Sequence, residues 1–295
     1  MTANFAATAD ALVADIPDGA LVAAMKDTSG TPMALARALI RKGVRGLHLV
    51  NMPTGGLFAD VLIGAGCVAT VEGGGVSLGE YGQAPCFVRA VKSGAVRPLD
   101  TTCPAVYAAL QAGEKGIPFM PLRGLIGSDI LTYRSDYRVI DNPLVGPVAA
   151  PGATAPDPAG RAMHDPIVVI PAIRPDVALI HAPLADREGN LWVGRDHELR
   201  ILAHAAKRTV ATVEQVVEGN LNADPLRAAG LIPALYVDEV ALAPRGALPR
   251  GMTGLYDEDA AGIAAYVRAA ETPEGFRAWL DRFLASDQPA QRAAE

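Results

Sequence analysis

The sequence predicts an α/β protein: an open, mostly parallel sheet flanked by helices, organised as a single domain over residues 1–295. Three observations lead there. Short apolar runs recur at 20–25, 47–50 and 67–71, and helical stretches separate them. Strands spaced by helices pair in parallel, because parallel neighbours need crossover connections. No tandem repeat, low-complexity tract or hinge-like linker divides the 295 residues, half of which are hydrophobic, enough for one substantial core.

Each element has its own signal. The run 20–25 reads as a buried strand, closed by Lys26-Asp27-Thr28-Ser29-Gly30. Thr31 followed by Pro32 reads as an N-cap with proline at the first helical position. Met33, Leu35, Ala36, Leu39 and Ile40 then carry an apolar helical face. Gly43 and Gly46 end that helix, and 47–50 is the next strand. A turn at 53–56 leads into a helix through Leu57, Val61 and Leu62, and 67–71 is a third strand. Thr102-Cys103-Pro104 opens a helix that Gly116 stops. Residues 143–166, rich in Pro, Gly and Ala, read as a long surface excursion. Strands follow at 167–170, 177–181, 209–213, 235–237 and 240–242, with a helix at 201–206. Phe276, Leu280, Phe283 and Leu284 form one stripe of a C-terminal helix.

Composition removes several classes of function. With 32 Asp plus Glu against 26 Lys plus Arg, the net charge is -6, which disfavours binding to a phosphate backbone. Cys67, Cys86 and Cys103 form no CxxC pair, so neither a zinc knuckle nor a disulfide framework is expected, and three dispersed thiols fit a reducing cytoplasm. The opening segment carries Asp10, Asp15 and Asp18 and lacks the basic region of a signal peptide. No apolar stretch approaches the ~18 residues of a membrane span.

Several short motifs invite chemistry and lose it in context. Gly64-Ala65-Gly66 with Ala69 matches GxGxxA, but the glycines precede a strand, whereas a dinucleotide fingerprint follows one; a helix C-cap and turn is expected. Gly75-Val76-Ser77-Leu78-Gly79 matches the nucleophile elbow of serine hydrolases, yet Gly79, Gly82 and Pro85 interrupt the helix that must follow Ser77. His197 and His204 lie too far apart to grip one metal as HExxH does, so no metal site is expected. Two loops hold more promise. Ser29, Gly30 and Thr31 join a strand end to a helix N-terminus, where open α/β sheets bind ligands and free amides favour a carboxylate, phosphate or oxyanion. Glu72 opens the second loop, and Gly73, Gly74, Gly75 and Ser77 let the backbone approach a ligand closely. An ordinary capped helix and a solvated glutamate beside a flexible turn are the competing readings.

Longer stretches resemble family I CoA-transferases, specifically their alpha-type subunits, closest to the glutaconate and 3-oxoadipate branches. They are IPDGALV (16–22) with SGTP (29–32), LIGAGCV (62–68), GIPFMP (116–121) with Arg123 and GSD (127–129), IRPDVALIHA (173–182) with ADREGN (185–190), then AAKR (205–208) and VEQVV (213–217). Their order holds from Ile16 to about Tyr266. The resemblance implies a CoA-transferase-like sheet and a homologous beta subunit in a heterodimer or heterotetramer. It implies coenzyme A and acyl-CoA as substrates, with no permanently bound cofactor. It also implies a glutamate nucleophile, carried by the beta subunit, that passes through a mixed anhydride to a glutamyl-CoA thioester. No Glu-Asn-Gly triplet occurs here, and Glu72 lies where a pseudo-equivalent nucleophile of this chain would stand. Lys26 and Asp27 depart from the glycine-rich form of the first loop. A CoA-dependent hydrolase of the steroid ring-opening type is the alternative on the same fold, with a serine hydrolase at Ser77 behind it.

Overall fold

A computed structural model describes residues 4–25, 29–144 and 165–285. The strands are β1 (Asn4–Phe5), β2 (Leu21–Met25), β3 (Leu47–Met52), β4 (Val68–Gly73), β5 (Arg97–Asp100), β6 (Phe119–Leu122), β7 (Arg138–Asp141), β8 (Pro166–Pro171), β9 (Val177–Asp186), β10 (Leu191–Trp192), β11 (Arg208–Val217), β12 (Leu231–Ile232) and β13 (Glu239–Leu242). The helices are α1 (Ala9–Val13), α2 (Met33–Lys42), α3 (Leu57–Gly64), α4 (Pro85–Ser93), α5 (Cys103–Glu114), α6 (Ile130–Tyr133), α7 (Glu198–Ala205), α8 (Ala260–Ala270) and α9 (Pro273–Ala285).

The main sheet runs β1-β13-β11-β9-β2-β3-β4-β5, and every neighbouring pair along that path is parallel. The expected open parallel sheet flanked by helices is therefore the observed one. Both of its faces are covered, so its strands are apolar on both sides. Val22 and Ala24 of β2 enter one core beneath α2 and α3. Ala23 and Met25 enter the other, with residues of α5 and α7. From β2 the chain steps outward through β3, β4 and β5, then returns to β9 on the other side of β2 and steps away through β11 and β13. The direction of winding reverses between β2 and β9, and that reversal opens a crevice at the strands' carboxyl ends.

Three expectations change. Residues 235–237 are not a strand: Ala234–Tyr236 form a single tight 3-10 turn after Pro233, and only β13 continues the sheet. Pro32 has ψ 57°, outside helical values, so α2 starts one residue later than expected and has no side-chain cap. The excursion at 143–166 lies almost wholly outside the described residues. Its flanks meet in a separate antiparallel sheet β6-β8-β7, with Asp141 opposite Pro166. Gly64 and Gly66 end α3 before β4 as expected; a Cβ on Gly64 would fall 2.5 Å from the Phe276 ring.

Candidate active site

The loop after β2 lies at the reversal point. Strand β9 runs on past the end of β2, whose last pairing is Ala24 with Leu179. The Ser29–Thr31 segment folds over it. The Gly30 amide donates to the Gly251 carbonyl at 3.1 Å, and Ser29 Oγ accepts from the Thr253 amide at 2.9 Å. Gly30 has φ +65°, and a Cβ there would stand 2.8 Å from the His181 carbonyl oxygen. Only glycine fits both constraints. Thr31 is buried, and its Oγ1 has no hydrogen-bond partner among the described residues.

The glycine loop after β4 is built differently from expectation. Instead of presenting all its amides to a ligand, it is stitched to the loop after β3. The Gly74 amide donates to Pro53 O at 2.8 Å, the Ser77 amide to Gly55 O at 3.0 Å, and Gly75 O accepts from the Gly55 amide at 2.9 Å. A Cβ on Gly73 would meet the Asn51 and Pro53 carbonyl oxygens at 3.1 Å, and one on Gly74 would meet Cys103 Sγ at 3.1 Å. The glycines thus allow two loops to touch. Ser77 accepts from the Gly79 amide and is followed by the short 3-10 turn Gly79–Tyr81, so it is not on a strand-to-helix elbow. The two loops share the carboxyl edge of the sheet, with the end of β3 between them. Cavities of about 750 and 570 Å³ open elsewhere, and neither is lined by Ser29–Thr31 or Gly73–Ser77.

Glu72 does not stand at a loop mouth. It is the penultimate residue of β4, 4 % exposed, with Oε1 2.7 Å from Arg134 Nη2 and Oε2 3.0 Å from His48 Nε2. Arg134 is itself buried, forked onto Asp136 at 2.9 and 2.8 Å, and stacked 4.1 Å above the Tyr137 ring. Burial pushes the Glu72 carboxyl up, but His48 and Arg134 outweigh it and hold the group below the usual carboxylate range.

A second buried polar cluster, absent from the sequence reading, lies beside the first loop. His181 of β9 stands opposite Thr212 of β11, and its Nδ1 is 2.8 Å from Thr212 Oγ1. Its Nε2 is 2.7 Å from Glu214 Oε1, two residues along β11 and on the same face. Glu214 also accepts from the Tyr256 hydroxyl and, at 2.5 Å, from the amide of Arg245, a non-glycine residue at φ 57°. Burial raises Glu214, yet these donors together hold it below its ordinary value. The only sequence signal was the i, i+2 spacing of Thr212 and Glu214; Tyr256 arrives from a distant loop. Among the described residues no group of three or more His, Cys, Asp and Glu could hold a metal ion. His204, once a candidate ligand, stacks on Tyr236 at 3.6 Å and faces Glu114.

A sequence profile of the Coenzyme A transferase family matches residues 6–243. The chain belongs to the coenzyme A transferase family. It is 31 % identical to the A-type subunit of 3-oxoadipate CoA-transferase from Pseudomonas knackmussii, over 91 % of this chain and 89 % of that one. It is equally 31 % identical to the cholesterol ring-cleaving hydrolase IpdA subunit of Rhodococcus jostii, over 89 % of this chain and 86 % of that one. The crystal structure of glutaconate coenzyme A-transferase from Acidaminococcus fermentans superposes with a TM-score of 0.82 at 25 % identity, covering 95 % of this chain and 88 % of that one. The likeness to alpha-type subunits of CoA-transferases, expected from the ordered motifs, thus holds, and with it the fold. No helix among the described residues is long and apolar enough to cross a membrane.

Proposed function

We propose that this chain is the alpha subunit of a cytoplasmic CoA-transferase that moves CoA between carboxylic acids together with a homologous beta subunit. The observation that carries the reading is the placement of two glycine-dependent loops on one carboxyl edge, at the winding reversal of a sheet of this family. Open α/β sheets take their ligands at such a point. Relatives that are themselves one half of a two-part enzyme support a second, different polypeptide, which would wall the edge that these loops leave as half of a cradle.

The nucleophile belongs on that second chain. A glutamate that attacks a thioester must present a free oxygen to the carbonyl, whereas both Glu72 oxygens face buried cations or a histidine. The partner's glutamate attacks the acyl-CoA carbonyl, the C–S bond breaks, and a mixed anhydride forms with CoA thiolate leaving. The thiolate then attacks the glutamyl carbonyl, releasing the first acid and leaving a glutamyl-CoA thioester. An acceptor carboxylate runs both steps in reverse. In this chain Ser29, Gly30, Thr31 and the Gly73–Ser77 loop shape the substrate side. Reduction of the acyl-CoA-treated complex with borohydride, followed by mass spectrometry, tests the reading. Label on a partner glutamate is expected; label on Glu72, or no label and no CoA exchange, overturns it.

The likeness to a ring-cleaving hydrolase subunit supports one alternative, in which water replaces the acceptor acid. Acid and free CoA released at full rate without any acceptor carboxylate would favour that alternative.

A further inference from the structure

We propose that Asn51 and Thr31 together hold a carboxylate oxygen of the acid substrate, an assignment that rests on the transferase reading above. Buried polar atoms without partners are rare in folded proteins, and two occur here on successive crossovers of the same sheet edge. Asn51 is 2 % exposed, and its Nδ2 has no acceptor; Thr31 is 1 % exposed, and its Oγ1 has no partner among the described residues. Asn51 closes β3 opposite Ala24 of β2, and Thr31 precedes α2, the crossover that joins those two strands.

The surroundings of Asn51 are cut to fit its carboxamide. A Cβ on Gly55 would lie 2.7 Å from Nδ2, and one on Gly73 3.3 Å from the Asn51 Cβ. Glycine at both places leaves the amide room where the loops after β3 and β4 meet, just ahead of α3. An amide nitrogen is a donor only and requires an oxygen acceptor, and a threonine hydroxyl supplies a second donor. Helix N-termini such as those of α2 and α3 favour negative charge on that acceptor. Both donors are neutral, so they position a carboxylate without a paired cation, as suits an acid that must leave once its CoA is exchanged.

The test uses Asn51→Leu and Thr31→Val, which keep volume and remove the polar atom, in the complex with the beta subunit. The KM for the acceptor acid rises about tenfold in each, the size of one hydrogen bond to a charged oxygen, while the KM for acyl-CoA stays within about twofold. Thr31→Ser restores the acceptor KM. An acceptor KM unchanged in both variants overturns the proposal. A second measurement is independent of the transferase reading and of activity: thermal unfolding of the full chain with acetate or succinate. The midpoint rises in the wild type and not in either variant; a rise that survives both substitutions, or none in the wild type, sinks the assignment. Absence of CoA exchange in the wild-type complex overturns the transferase reading alone, since the thermal measurement still reads the site.

Discussion

Replacing Glu72 by Gln separates a structural carboxylate from a nucleophile. The substitution keeps the shape and removes the charge facing Arg134, whose guanidinium is buried 2.7 Å away. One charge-assisted hydrogen bond is worth about 1.5–3 kcal/mol. A fully orphaned buried charge would cost about 3–5 kcal/mol. Arg134 is not orphaned, because Asp136 and the Tyr137 ring still hold it, so the expected loss is about 2–3 kcal/mol at pH 7. Urea unfolding reads it as a lower midpoint at unchanged slope. The pH dependence has a definite sign. The folded Glu72 carboxyl titrates below its ordinary value of 4.5, so its stabilisation is complete above that value and disappears as pH falls through the lower, folded one. The deficit of Glu72→Gln is therefore largest at neutral pH and shrinks below about 4.5. In the complex, CoA exchange by the variant stays within about tenfold of wild type, whereas loss of a covalent nucleophile abolishes it. An unchanged midpoint at pH 7, or a deficit that grows on acidification, would refute the argument.

Further perturbations test the remaining clusters. Gly30→Ala combines a left-handed backbone with a backbone oxygen 2.8 Å from the new Cβ and loses more than about 2 kcal/mol. Gly94→Ala, also left-handed but with nothing within 4 Å, loses only about 1–2 kcal/mol, and equal losses in urea unfolding would contradict the close approach. Tyr266→Phe removes the hydroxyl 2.6 Å from the buried Asp60 and loses about 1–3 kcal/mol. Burial raises the Asp60 carboxyl above 3.8 while Tyr266 lowers it, so this deficit widens as pH rises above that value, checked by unfolding across pH. Glu214→Gln leaves His181, Tyr256 and the Arg245 amide short of their shared carboxylate. It loses about 2–4 kcal/mol at pH 7 and less below about 4.5, again read by urea midpoints.

The strands that carry the site were readable because parallel strands covered on both faces must be apolar throughout. Residues 20–25 and 47–50 announce β2 and β3 in that way. Short and polar elements were not readable: β5 is Arg-Pro-Leu-Asp, and the strands of the small sheet carry proline or arginine. Helix α4 was missed because Gly79, Gly82 and Pro85 read as breakers, although Pro85 starts the helix that they precede. The loop Ser29–Thr31 was found from its place between a strand and a helix. Asn51 was passed over because it falls at the end of an apolar run with no motif around it.

Strand order separates what the chain carries locally from what it acquires on folding. Apolar runs, punctuating glycines and ordered motifs are properties of neighbouring residues, and they determined the α/β class, the family and the position of both loops. Which charges meet is a property of the sheet's winding. Glu72 sees Arg134 across 62 residues, and His181 sees Glu214 across 33. The glycines after β4 face another loop instead of a ligand because β3 ends beside them. Pairing across such separations is decided only when the strands assemble, since burying a charge is tolerable only where its partner arrives with it.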